Sequence, residues 1–168
     1  RSPGGIEAWL VEEHGLPIIS IEAGFDGGAR LDPDGKAGLA LLVSTLMNEG
    51  AGDYDSTAFA QKMQDKAISF GGSADIDAFY LSLTTLTANK ADAFELMRLA
   101  VASPRFDQEA IDRMKAQMFA SQKEADEDPS SIAGNTWSER AFPGHPYGRR
   151  VEGTAESLAA VTRDDIVD

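Results

Sequence analysis

The chain contains no cysteine, and only two of its 168 residues are histidine, His14 and His145. The first absence excludes disulfides and thiolate metal sites, though it does not fix a redox compartment. The second leaves too few imidazoles for a histidine-rich metal site. Positive charge is scarce as well: 15 Lys and Arg against 28 Asp and Glu give a formal net charge of −13. Such a surface repels phosphate backbones and anionic lipid headgroups, so no nucleic acid and no membrane surface is expected as a partner. No apolar run approaches the roughly 18 residues that a spanning helix needs, and no membrane insertion is expected. An initiator methionine is also missing. Arg1 opens the sequence, which removal of a secretory leader or a chosen starting point would equally explain.

What is present suits one packed domain: 42% of the residues are hydrophobic. Residues 6–13, IEAWLVEE, have strand character and are followed by the turn HGLP. In residues 18–28, Ile19, Ile21 and Ala23 alternate with Ser20 and Glu22, a second strand, so a hairpin is expected. Residues 38–50 carry Leu39, Leu42, Val43, Leu46 and Met47 at helical spacing. Residues 55–69 carry Phe59, Met63, Lys66 and Ala67 likewise, with Asp55 or Ser56 as N-cap. After Gly71 and Gly72, residues 73–78 and 79–87 read as two strands. A helix ending at Pro104 offers Phe94, Met97, Ala100 and Val101 on one face. A longer helix stopped at Pro129 offers Ile111, Met114, Met118 and Phe119. A shorter helix, a Pro/Gly loop and a capping-box-like start at Thr162 and Asp165 complete the chain. Strands in hairpins rather than βαβ units predict an α+β fold, with helices packed on one face of a mixed or antiparallel sheet.

One helix raises a chemical question. In GLALLVSTLMNEG, Leu41, Ser44 and Thr45 sit together beside the apolar stripe. Their spacing is that of H-x-x-E-H, in which two histidines bind zinc and the glutamate is the general base. Leucine has no lone pair to donate, and a serine hydroxyl does not replace a carboxylate base. Neither histidine has a sequence context suggesting a triad with Ser44. His145, in FPGHPYGRR, reads as part of a rigid loop. The acidic run EADEDP lacks the spaced ligands and central glycine of a calcium loop.

Taken in order, GLPIISIEAGFDGGARLDPDGKAGLA, EGAGDYDS, GGSADIDAFYLSLTTLTAN, AFELMRLAVASPRFDQEAIDRMKAQ and FPGHPYGRRVEGTAESLAAVTRDDI resemble the pitrilysin/insulinase family of inverted zinc peptidases, which includes mitochondrial processing peptidase. The resemblance runs from about Ile6 to Asp168. It implies a processing-peptidase-like half-domain: residues 1–168 as a single α+β domain, most of the first half of a longer two-half chain, cut within its C-terminal helix. Aligned on Gly38-Leu39-Ala40, the metal-binding histidines fall at Leu41 and Thr45 and the base at Ser44. The third ligand, a glutamate, falls near Ala120, Ser121 or Gln122, with Gln122 taken as the position. No catalytic residue and no metal ligand is therefore expected in this chain.

The resemblance further implies a non-catalytic subunit of a two-chain peptidase, helping to form the peptide chamber, with zinc held by a catalytic partner of the same family. Peptide substrate is expected along an edge strand at Ser73, Ala74, Asp75 and Ile76. Export to a bacterial periplasm is expected with it. Two alternatives remain open: a stand-alone metal-free peptide-binding or scaffold protein, and a peptidase whose active site lies outside this segment.

Overall fold

The computed structural model describes residues 1–167. Three strands form the sheet: β1 (Ile18–Asp26), β2 (Ser69–Ala74) and β3 (Ala78–Leu86). All pairings are antiparallel and the order is β1-β3-β2, so β3 is central. The alternation read in the sequence is the burial pattern observed. Leu81, Leu83 and Thr85 of β3 are buried, and Ser82, Thr84 and Leu86 are exposed. Helices cover the first face and leave the second to solvent, the α+β arrangement expected.

The expected hairpin does not form. Residues 6–13 have no regular structure and lie exposed, with Trp9 91% accessible. β1 pairs instead with β3, from Ile18 opposite Leu86 to Asp26 opposite Ala78. The physical reason lies in the pattern. Ile6, Ala8 and Leu10 would occupy one face of a strand and Trp9 and Val11 the other, whereas the described helices cover a single face of the sheet. Apolar side chains on both faces need cover on both.

The second hairpin forms with shifted bounds. Gly71 and Gly72 lie inside β2 rather than before it. Asp75 and Ile76 belong to the turn, where Asp75 Oδ1 accepts from the N–H groups of Asp77 and Ala78 at 2.8 Å each. The glycines had the look of punctuation, yet Gly72 is a packing residue. A Cβ there would stand 2.6 Å from the Ser44 carbonyl oxygen.

Seven α-helices lie among the described residues. α1 (Leu39–Leu46) sends Leu42 and Leu46 into the core. α2 (Ser56–Asp65) starts on Asp55, whose side chain accepts from Ala58 N–H at 2.8 Å, and buries Phe59 edge-on against Phe70. α3 (Lys90–Ala102) buries Ala93, Leu96 and Ala100, while Phe94 and Val101 stay 42% and 50% exposed. The helix is thus rotated from the face that its largest side chains suggest, because the small Ala93 and Ala100 give the closer contact with the sheet. α4 (Gln108–Glu127) buries Ala110, Ile111, Met118 and Gln122. α5 (Pro129–Ala141) opens on Asp128, which accepts from Ser131 N–H at 2.7 Å. α6 (Ala155–Ala160) and α7 (Arg163–Val167) follow, and bury Leu158 and Ile166.

Two outcomes follow from this packing. Gly72→Ala should destabilise the fold by about 1–3 kcal/mol, the usual cost of overpacking against backbone. Gly71→Ala, whose added methyl would meet nothing within 4 Å, should change stability by less than about 0.5 kcal/mol; denaturant titration separates the two. The other outcome concerns acid. Asp165 accepts from the N–H and O–H of Thr162, each at 2.7 Å, and pairs with Lys36. These contacts hold its carboxyl well below the usual aspartate range, Lys36 contributing most. Because its proton binds more weakly in the folded chain, the stabilisation is complete above the ordinary value of about 4 and fades as pH falls below it. Asp165→Asn should flatten the acid side of the stability–pH curve and leave its alkaline side unchanged in shape.

Candidate functional site

α1 is aimed by its own entry. Gly38 precedes it in the left-handed region, φ 99°, and packs so tightly that a Cβ would stand 2.8 Å from the Glu152 carbonyl oxygen. Buried Asp32 accepts from Gly38 N–H at 2.8 Å and Ala40 N–H at 2.9 Å, satisfying donors at the helix start. Burial pushes its carboxyl up, while these N–H groups and the nearby Arg149 guanidinium pull the other way. Arg149 also donates to the Asp32 carbonyl at 3.1 Å and tethers the loop that carries Glu152.

Held in this way, α1 lies beside α4, and an open cleft of about 630 Å³ separates them. Leu41, Ser44 and Thr45 line it from α1, and Gln122 lines it from α4. The four positions identified from the sequence therefore do converge. Ser121 also reaches the cleft; Ala120 does not. The long helix contributes Met114 and Met118 as well, at i−8 and i−4 from Gln122 and so on the same face. The end of α1 adds Asn48 and Glu49, β2 adds Gly71 and Gly72, and Glu152 closes the rim.

The donor set does not fit zinc. Leu41 offers no donor atom. The Ser44 hydroxyl donates to the Leu41 carbonyl at 2.7 Å, and the Thr45 hydroxyl to the Leu42 carbonyl at 2.8 Å, so both protons are committed to their own helix. Gln122 is 6% exposed and donates through Nε2 to the Glu152 carbonyl at 2.7 Å. Among the described residues, no three His, Cys, Asp or Glu side chains converge as a metal site would require. Glu49, an acidic side chain that lines the cleft, is engaged by Arg113 and by the Ser56 hydroxyl.

The edge-strand residues are placed elsewhere. Ser73 and Ala74 close β2, and Asp75 and Ile76 border a separate groove with Tyr147 and Arg149. Tyr147 donates to Asp77 at 2.8 Å there, which pins the Pro/Gly loop onto the β2–β3 turn. His145 caps that loop by accepting from Tyr147 N–H at 3.2 Å, a structural role. Sequence reasoning assigned Met114 and Met118 to the core, and did not single out Gly71 or Glu152 for the cleft. The signal for the methionines was available: counting back from Gln122 in steps of four reaches both.

Residues 12–155 match the family described as Insulinase (Peptidase family M16). The chain belongs to this family. It is 30% identical over 155 residues to the non-peptidase homolog YmxG of Helicobacter pylori, a match covering 92% of this chain and 36% of that protein. A crystal structure described as a peptidase M16 inactive domain, from Pseudomonas fluorescens, superposes with a TM-score of 0.88 at 29% identity, covering 94% of this chain and 38% of that one. A Helicobacter pylori protease at 18% identity and a TM-score of 0.81, over 90% of this chain and 37% of that one, shares the fold. The chain thus spans a little over a third of the relatives it matches. As a member of the insulinase family it carries the motif helix without the motif's chemistry, and its similarity to chains called non-peptidase and inactive accords with that.

This donor set predicts no stoichiometric zinc in the purified protein. Elemental analysis should find zinc far below one atom per chain, and added zinc should leave the melting temperature unmoved, since a ligand of the native state would raise it. One tightly held zinc per chain would show that other side chains complete a site.

Proposed function

We propose that this protein is the non-catalytic subunit of a two-chain insulinase-type peptidase, and that it helps to enclose the peptide while zinc chemistry takes place on a catalytic partner. One observation supports the reading: Leu41, Ser44, Thr45 and Gln122, the positions that the family resemblance assigns to both metal histidines, the base and the third ligand, line one cleft, and none has a side chain suited to that role. A helix released from metal binding is under no chemical requirement to keep facing an open cleft. Retention of that geometry speaks for a task other than hydrolysis. β2 supports the same reading. It pairs only with β3 among the described residues, so its outer edge offers backbone groups that an extended peptide can take up by strand addition. The similarity to proteins called non-peptidase homolog and inactive domain is consistent with a chain of this kind.

The test is reconstitution. The full-length protein should hydrolyse no peptide above background. An intact H-x-x-E-H relative from the same organism should co-purify with it and gain about tenfold or more in kcat/KM on forming the pair, a change of roughly 1.4 kcal/mol in transition-state stabilisation. No association and an unchanged partner activity would overturn the two-chain reading. Chelator-sensitive hydrolysis by the full-length protein alone would replace it with a peptidase whose centre lies outside this segment.

A further inference from the structure

We propose that the outward face of α5 is a contact for a second copy of this chain, the two α5 helices lying antiparallel with each Trp137 on the other's Ala133. The inference is independent of the two-chain reading above, because no residue that lines the α1–α4 cleft comes from α5. Its starting point is a helix that is inside out. Ser131, Asn135 and Ser138, spaced i, i+4 and i+7, are the half-buried residues of α5, and Asn135 and Ser138 border the groove shared with Tyr147 and Arg149. On the opposite side Ala133, Thr136, Trp137, Arg140 and Ala141, spaced i, i+3, i+4, i+7 and i+8, are all exposed. They line a shallow recess of about 560 Å³ bordered by α5 alone. A surface helix ordinarily turns its apolar stripe inward and its polar one to water. α5 does the reverse, and none of its residues is fully buried. Trp137 is 65% exposed, and its ring is steadied edge-on against Phe142, centroids 6.0 Å apart. An exposed face carrying a tryptophan and an arginine has the composition of the centre of a protein–protein contact.

Charge and size point to the occupant. Arg149 and Arg150 pair with Asp34 and Asp126, whereas Arg140 has no ion-pair partner among the described residues. The complementary surface must therefore offer acidic groups beside apolar ground, and a position small enough to admit an indole. Both stand on α5 itself. Ala133 lies one turn before Trp137, and the acidic run EADED, residues 124–128, immediately precedes the helix. Laid antiparallel about a two-fold axis level with residue 135, two copies place each Trp137 on the other's Ala133. Each Arg140 then falls opposite Ser130, at the end that carries Glu127 and Asp128. Residue i meets j and j meets i, as an isologous contact requires. A parallel pairing would set Arg140 against Arg140. Two copies of formal net charge −13 repel as wholes, and the opposite charges at the helix ends offset that repulsion at the contact. The contact is a weak one. α5 is roughly 20 Å long at 1.5 Å per residue. One helix face buries less than the roughly 800 Å² per partner of a standard interface, so a dissociation constant on the order of tens of micromolar is expected.

The experiment is sedimentation velocity on the full-length protein, across about two decades of concentration around that value. The protein should pass reversibly from monomer to dimer. Ala133→Glu, which sets a carboxylate under the partner copy's indole, should weaken the dimer by about tenfold or more. Arg140→Glu and Ser130→Arg should each weaken it. The two together should restore it to within about threefold of the original, because only antiparallel pairing brings these positions face to face. All three positions are exposed, and melting curves show that the variants are folded. Either Ala133→Glu or the paired exchange decides if the other fails to fold. A protein that stays monomeric throughout, or a dimer that Ala133→Glu leaves intact, would overturn the proposal. So would a dimer that the paired exchange does not restore. Loss of co-purification with a catalytic relative in Ala133→Glu, with self-association unchanged, would give the face to that partner and overturn it as well.

Discussion

The contact on which the arrangement depends is the approach of α1 to β2, where the backbone of Ser44 lies against Gly72 with no room for a methyl group between them. A helix normally stands off a sheet by the thickness of two layers of side chains. Here the glycine removes one of those layers on the strand, and α1 settles against the face of the edge strand β2 instead of above the sheet's centre. That position leaves Leu41 and Thr45 lining the cleft to α4, while Leu42 and Leu46, on the adjacent face about 100° round the helix, are fully buried. The cleft is the space left when one helix is drawn onto the sheet and its neighbour α4 is held away from it.

The entry to α1 keeps this approach from sliding. Asp32 caps the helix, Gly38 fits against Glu152, and the same stretch presents the carbonyl that holds Gln122. A single loop therefore sets both walls of the cleft. None of these contacts involves a metal. The frame is maintained by packing and by side-chain hydrogen bonds to the backbone, with Leu, Ser, Thr and Gln at positions 41, 44, 45 and 122. This explains why the geometry of the insulinase family survives here without its zinc chemistry: in this half of the fold, the residues that build the site and the residues that would use it are different ones.

With Leu, Ser, Thr and Gln at these four positions, the cleft has the chemical character of a recess and not of a metal site. Two hydroxyls are turned back onto their own helix, two methionines and a leucine dominate the walls, and one amide oxygen is left without a donor. The cleft combines the apolar walls of Leu41, Met114 and Met118 with a polar margin of Asn48, Glu49, Gln117 and Ser121. Such a recess is poor at stabilising developing charge and well suited to holding a side chain. Of the two acidic residues that line the recess, Glu49 and Glu152, Glu49 is paired with Arg113.

The sequence by itself determined the elements whose signals are local: the alternation of β1 and β3, the Asp55 cap, the Thr162–Asp165 box, and the helical spacing that sets Leu41, Ser44 and Thr45 together, whereas Gln122 came only with the family resemblance and its place opposite them only with the fold. It also determined what the site lacks, because no histidine or glutamate stands at positions 41, 44, 45 or 122. Only the tertiary structure decided that β1 pairs with β3 and not with residues 6–13, that α3 turns its alanines to the sheet, and that Gly71 and Gly72 lie inside a strand. Each of these depends on a surface distant in the chain, and periodicity carries no information about which surface will be offered. The orphaned oxygen of Gln122 belongs to the same class. A glutamine in a sequence has both a donor and an acceptor, and only the distant carbonyl of Glu152, fixed by the fold, decides which of the two is left free.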